Sequence, residues 1–368
     1  LEAVKPAARL LSAALTYPMA WANAALTGAP WPLVAGLTLA LGWRLGRLRL
    51  AGLAAAALGF VLASGYWVES MNTLALVAVS VPLALALGLA IGVLAWEVPA
   101  VRRAVEAVLD VMQTVPTFAY LTPLLILFGF GPVVGLIASA IYAAPPMARN
   151  VLLGLERVDP EIREAGTMAG TTRLQRLLLV EIPSAGQQIM VGVNQCVMAA
   201  LSMVIIAAVI GGFDDIGWEV LLTMRKAQFG QAVLAGLVIV LFAVMIDRIT
   251  ARLAESDERH GWRVPVGAAG VVSVAAVLLA LLGLMPDAAS FGVLAPAADA
   301  VDAALGNFTA TYGAALDAVK NTAMFYALLP LRIGLAEAVL PFTWGFGWTP
   351  AMSWGLFGAA ALGAGLLA

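Results

Sequence analysis

The sequence predicts an all-α bundle of membrane-spanning helices, and three observations carry that prediction. The chain is 62% hydrophobic and 11% charged, with a mean hydropathy of +0.96, whereas a water-soluble domain carries roughly a quarter charged residues. Apolar runs long enough to cross ~30 Å of hydrocarbon recur between short charged segments. The basic residues gather in alternate segments, as they do on the cytoplasmic side of a membrane.

Taken in order, residues 6–27 mix Arg9 and Asn23 with apolar and aromatic residues. Counting crossings makes 1–29 an external interfacial segment. A transmembrane domain follows over 30–285. It opens with a short apolar run, 30–43, which ends at Arg44, Arg47 and Arg49, and 50–66 returns outward. Residues 67–72 make an external turn holding Glu69, and 73–96 cross inward without a charge. Apolar residues at helical spacing over 101–113 predict a helix at the interface. Two spans, 117–130 and 132–148, are joined by the turn Gly129-Phe130-Gly131-Pro132. Further spans cover 184–210, 229–246 and 264–284, with a polar connection over 211–228 and a basic loop over 247–263. Residues 286–345 form an external acidic segment ending in an interfacial helix over 321–342.

This alternation places 14 of the 20 Lys and Arg on one side, in four loops, and the acidic 286–320 stretch on the other. Leu1-Glu2-Ala3-Val4-Lys5 recurs as Leu316-Asp317-Ala318-Val319-Lys320, and Trp31-Pro32 is echoed by Trp348-Thr349-Pro350. The echo predicts that 346–368 opens a second unit of the same kind, and that the chain belongs to something longer.

Several functions are excluded by composition. One cysteine, Cys196, and one histidine, His260, leave no set of His and Cys for a metal site. The three lysines, Lys5, Lys226 and Lys320, complete no phosphate-binding loop, so nucleotide-driven work falls to another subunit. No catalytic residue, cofactor or metal is assigned to this chain, and no nucleic-acid partner is expected. A secondary carrier for a small polar solute is the alternative, but carriers of that kind usually hold an acid within the membrane and no predicted span does.

The most polar segment between spans is 149–183. It reads RNVLLGLERVDPEIREAGTMAGTTRLQRLLLVEIP and holds five arginines. Asp159-Pro160 has the form of a helix start with a capping carboxylate. Gly170-Thr171-Thr172 breaks that helix, with Gly170 as a left-handed cap, and Thr172 is placed to start a second helix running to Val180 before Pro183. The Glu164 carboxylate is within reach of amides or a base near that turn. Glu164-Ala165-Gly166, Gly170 and Val180-Glu181-Ile182-Pro183 stand at the spacing of the EAA loop of ABC-importer permeases, which the segment resembles. It departs from that pattern at Gly166, Val180 and Ile182. The resemblance implies that Asp159, Arg163, Glu164, Ala165, Gly166, Gly170, Arg173 and Pro183 form a coupling loop that docks on a separate cytoplasmic ATPase, where ATP and Mg would bind.

After the loop, Gln187, Asn194, Met198 and Ser202 share one helical face, flanked by Gln188 and Gln195. Amides are costly to leave unpaired in hydrocarbon. This face therefore either joins helices or lines a translocation path. The segments VMQTVPTFAYLTPLLILFGFGPVVGLIASAIYAAPPMARN and GVNQCVMAALSMVIIAAVIGGFDDIG resemble the glycine betaine/proline betaine permeases. That resemblance spans roughly residues 60–255. It implies a bundle of the type I ABC-importer kind in a bacterial cytoplasmic membrane. It also implies ATP-driven uptake of a quaternary amine or related osmolyte, such as trimethylamine N-oxide, glycine betaine or choline. Its partners would be an external substrate-binding protein, ATPase subunits and a second permease unit, either a second copy or a fused repeat.

Overall fold

The computed structural model describes residues 5–211, 213–255 and 287–329, with single positions at 279, 282, 331, 332 and 358. The described residues are helical throughout apart from turns and short connections. The chain divides into two units, Leu1–Asp302 and Ala303–Ala368. The predicted crossing at 264–284 and the predicted second unit at 346–368 lie almost wholly outside the described residues.

In the first unit, α1 (Lys5–Gly28) is followed by α2 (Trp31–Ser64), which is two antiparallel arms rather than one rod. Arg47 leaves the helical region at φ 51°, ψ −140°, and a Cβ on Gly42 would lie 3.2 Å from the backbone of Ala51. Nine residues of straight helix would separate those positions by ~13 Å. The chain therefore reverses at Arg47, as the cluster Arg44, Arg47 and Arg49 predicts. The open ends of the two arms meet one short stretch: Trp31 stacks edge-on against Phe291 at 5.6 Å, and Leu294 N–H donates to the Ala63 carbonyl.

The long α3 (Trp67–Glu97) leads through α4 (Pro99–Thr114) and α5 (Thr117–Phe128) to α6 (Pro132–Glu156). The reading of 117–130 as a span needs correction. α5 has 12 residues, so it rises ~18 Å and is too short to cross. The turn that ends it is as predicted, with Gly129 and Gly131 at φ 79° and 150°.

α6 is the most enclosed helix, with buried residues along its whole length from Val133 to Leu155. Two sets of glycines let its neighbours approach. On α3, a Cβ on Gly88 would lie 2.5 Å from Met147 Cβ, and one on Gly92 would lie 2.7 Å from the Ala148 carbonyl and Val151. On α10 (Gly186–Gly211), a Cβ on Gly192 would lie 2.8 Å from Asn150 and 3.1 Å from Met147 Sδ. Small residues at four-residue spacing bring helices close where no hydrophobic drive separates helix from lipid.

α11 (Ile216–Arg225) and α12 (Phe229–Glu255) complete the bundle. α6 and α12 both outrun the predicted spans, which stopped at 148 and 246. Their extra turns are paired rather than dissolved: Arg149 pairs with Asp110, and Asp247 meets Asn194. The 211–228 connection contains α11, begun by Asp215, whose Oδ1 accepts from Trp218 N–H at 2.8 Å. The acidic 286–320 stretch is no loop either. A 3-10 turn, Ala288–Phe291, leads to α13 (Ala295–Ala323), rich in alanine, the strongest helix former.

The second unit holds the remainder of α13 and a π turn, Met324–Leu328. Leu305, Phe308, Tyr312 and Leu316 are exposed along it. The interfacial helix predicted for 321–342 is described only to its first turns.

Candidate functional site

The charged loop is built from local chemistry. α7 (Pro160–Met168) starts at Asp159, whose backbone is extended at ψ 135°, with Pro160 at the first helical position. The expected carboxylate cap is absent. Instead the Asp159 carbonyl accepts from the N–H of Ile162 and Arg163. Gly170 stands at φ 77°, the left-handed cap that only glycine adopts freely. Thr172 then begins α8 (Arg173–Arg176) with a reciprocal capping box, its side chain against Gln175 N–H and its own N–H against Gln175 Oε1.

Beyond α8 the helix widens into a π turn, Leu177–Glu181, and closes through α9 (Ile182–Ser184). Pro183 has no N–H for the Leu179 carbonyl, and its ring crowds that oxygen; π spacing accommodates it. Pro183 thus bends a continuous helical path instead of ending one.

Side chains tie the loop to the end of α3. Trp96 Nε1–H donates to Glu181 Oε2 at 3.1 Å. Arg176 Nε–H donates to Glu181 Oε1 at 3.0 Å. The Arg163 guanidinium lies 4.7 Å from the centre of the Trp96 ring and donates to the Leu155 carbonyl. Arg173 pairs with the Glu97 carboxylate and donates to its carbonyl. Glu181 is 2% exposed, so both its oxygens are spent on fixed partners.

Glu164 does the opposite of what was expected. It is exposed, and among the described residues its carboxylate has no hydrogen bond or ion pair, whether at the turn or elsewhere. Asp159, Ala165, Gly170 and Pro183 are also exposed, and Gly166 is buried against Val180 and Arg176. Apolar residues of the same loop are exposed as well: Met168 at 87%, Leu174 at 64% and Leu179 at 70%. A rigid scaffold thus presents a mixed acidic and apolar face. Glu181 and Trp96 were not identified from sequence as part of this site; the one hint was a carboxylate within LLLVEIP.

On α10 the four residues predicted to share a face do so, but in different surroundings. Gln187, Met198 and Ser202 are exposed. Asn194 is half-buried and turned to α12, donating to Asp247 Oδ1 at 3.2 Å and accepting from Thr250 at 2.6 Å. Gln188 and Gln195 grip Asn150 of α6 at 2.6 and 2.8 Å. Three of these amides therefore join helices.

At the opposite end of α3, Asn72 donates to the Asp214 carbonyl at 2.6 Å and accepts from Asn23 at 2.6 Å. Beside it Asp215 is 1% exposed, and its Oδ2 has no partner among the described residues. Burial pushes its carboxyl up to about 7.

Residues 84–256 match the family described as binding-protein-dependent transport system inner membrane component. Over 206 residues the chain is 41% identical to the glycine betaine transport system permease protein OpuAB of Bacillus subtilis, covering 55% of this chain and 73% of that protein. The chain belongs to this family of inner-membrane transport components.

Other relatives of the family component agree. It is 41% identical over 234 residues to the trimethylamine N-oxide transport system permease protein TmoV of Ruegeria pomeroyi, covering 62% of this chain. It is 34% identical over 238 residues to ProW of Escherichia coli, a glycine betaine/proline betaine permease, covering 65% of this chain and 67% of that one. The chain spans about a third of the length of TmoV, 35%. The matched region contains the inner half of α3, the loop, α10 and α12.

Proposed function

We propose that this family component is the permease unit of an ATP-driven importer for a quaternary amine or related osmolyte, with trimethylamine N-oxide or glycine betaine as first candidates. The names of its relatives support the solute class. The observation that carries the coupling role is the loop's division of labour. Part-buried ties through Glu181 and Arg163, with an exposed one through Arg173, fix its shape. Glu164, Met168, Leu174 and Leu179 are left facing out. An exposed apolar patch on a rigid support marks a docking surface. Its occupant in this reading is the separate ATPase, on the cytoplasmic side where basic loops lie. An external binding protein delivers solute to the other side, and a second permease unit, as another copy or a fused repeat, completes the path along the exposed face of α10.

The test is co-expression with an ABC ATPase of the same importer class. Met168→Asp and Leu174→Asp keep the permease in the membrane and remove the ATPase from the purified complex. ATPase content equal to the parent's in both variants refutes docking at this face. Uptake of labelled trimethylamine N-oxide, glycine betaine and choline by the same membranes identifies the solute.

A further inference from the structure

The loop's strongest ties run to a helix that does not adjoin it in sequence. α6 and α10 flank the loop, yet Trp96 precedes Glu181 by 85 residues and Glu97 precedes Arg173 by 76. Both ties are charge-assisted hydrogen bonds, roughly twice as strong as neutral ones, and the Glu181 tie is shielded from water.

α3 then runs to the far end of the molecule. Asn72 and Trp96 are 24 positions apart on it, a rise of ~36 Å. At that far end Asn72 holds the Asp214 carbonyl, and Thr73 Oγ1 accepts from Ile216 N–H at 3.1 Å. These contacts fix the connection that leads from α10 into α11. Along the way Gly88 and Gly92 let Met147 and Val151 of α6 pack directly onto the backbone of α3, so α3 and α6 can move together more easily than they can slide. α10 reaches the same connection through its own C-terminus. Among the described residues, only α3 touches both the buried core of the loop and the backbone of that connection through side-chain hydrogen bonds.

We propose that α3 carries motion of the loop to the 214–216 connection at the opposite end, and that Trp96 and Glu97 are the positioning residues that receive it. The proposal rests on the loop being the ATPase docking surface. It assigns the output to α3, with α6 and α10 as the supports against which it moves.

A chain of contacts is not in itself coupling, so the experiment reads the far end. A cysteine replaces Asp214, whose tie to Asn72 uses only the backbone carbonyl; Cys196 is buried and stays. The permease is purified with its ATPase in lipid nanodiscs. The rate of maleimide labelling at 214 is compared without nucleotide and after trapping with ATP and vanadate. In the parent the two rates differ by about fivefold or more. Glu97→Arg and Arg173→Glu each bring the ratio close to one, and the two together restore it by exchanging the charges. Trp96→Phe, which keeps the ring beside Arg163 and loses only the N–H, lowers the ratio.

A parental ratio near one overturns the proposal, and so does a full ratio in both single charge variants or a failure of the exchange to restore it. ATPase content is scored in every sample. If the single variants lose their ATPase and the exchange regains it, the ties shape the docking face and α3 is not the output. If Met168→Asp and Leu174→Asp both leave ATPase content full, docking itself falls, and this inference with it.

Discussion

Replacing Gly92 by alanine adds one methyl group where the structure has no room for it. That carbon would stand 2.7 Å from the Ala148 carbonyl, 2.7 Å from Val151 Cβ and 2.8 Å from Val151 Cγ1. An ordinary contact begins near 3.4 Å, and two of these three atoms are fixed to the α6 backbone or one bond from it. The helices must part by about 0.7 Å, which forfeits a quarter or more of the dispersion energy of the facing atoms. Overpacking of this kind costs about 1–3 kcal/mol. Helix propensity returns up to about 1 kcal/mol for the loss of a glycine. The net expectation is a destabilisation of about 1–2 kcal/mol, a fall in Tm of roughly 3 °C for a chain of this size. Gly59→Ala on α2 is the matched control, because a Cβ there meets nothing within 4 Å, and its Tm holds or rises. Tryptophan fluorescence of the detergent-purified permease on heating reads both. If Gly92→Ala melts at or above the parent, the close approach of α3 and α6 is not what the geometry says.

Four further variants have expected outcomes of their own. Asp215, pushed up to about 7 by burial, stabilises the fold in its protonated form; that stability is full near pH 4 and lost as pH rises through 7, so Asp215→Asn, which keeps the cap, removes a loss on the order of 2 kcal/mol between about pH 5.5 and 7. An Asn variant with the parent's pH profile of Tm assigns that dependence elsewhere. Gly166→Ala places its methyl in ordinary contact, 3.4 Å from Val180 and 3.5 Å from Arg176, and raises stability by about 0.5–1 kcal/mol with ATPase content unchanged; a lower Tm shows that the loop packs differently. Asn194→Leu deprives the half-buried Asp247 carboxylate of its amide donor, while Thr250 keeps the Ile246 and Asp247 carbonyls as acceptors, and costs about 1–3 kcal/mol. Ser202→Leu, whose hydroxyl bonds only the Met198 carbonyl of its own helix, keeps its Tm and loses solute uptake. Unchanged uptake removes that face from the path.

What could be read from the residues was local. Thr172, Gly170 and the Asp159-Pro160 start each act within one turn, so neighbours in sequence suffice to predict them. The reversal at Arg47 was equally legible, because three arginines cannot stay in hydrocarbon. Span ends were misplaced wherever a charge finds a partner from another helix, since Arg149 with Asp110 and Asp247 with Asn194 extend helices that composition alone would stop. α13 was missed because acidic residues drew attention away from a run of alanines. The Glu181–Trp96 tie spans 85 residues, and no periodicity links positions so far apart. For Glu164 the spacing marks the loop, but only the structure shows that its carboxylate turns outward instead of bonding at the turn.

Met147 is touched from two sides, by the space above Gly88 on α3 and by that above Gly192 on α10. Its side chain is thus a joint tenant of two interfaces, and a substitution at any of the three positions changes which substitutions are tolerated at the other two. A shorter residue at 147 removes its Cγ and Sδ contacts, but Met147 Cβ and the Ala144 carbonyl still crowd position 88 and Asn150 Cβ still crowds position 192, so alanine at either stays harmful. Stability effects at this trio will not add. Met147 thus presses on two separate helices at once, and the backbone of α6 and Asn150 hold both of those close approaches in place beside it.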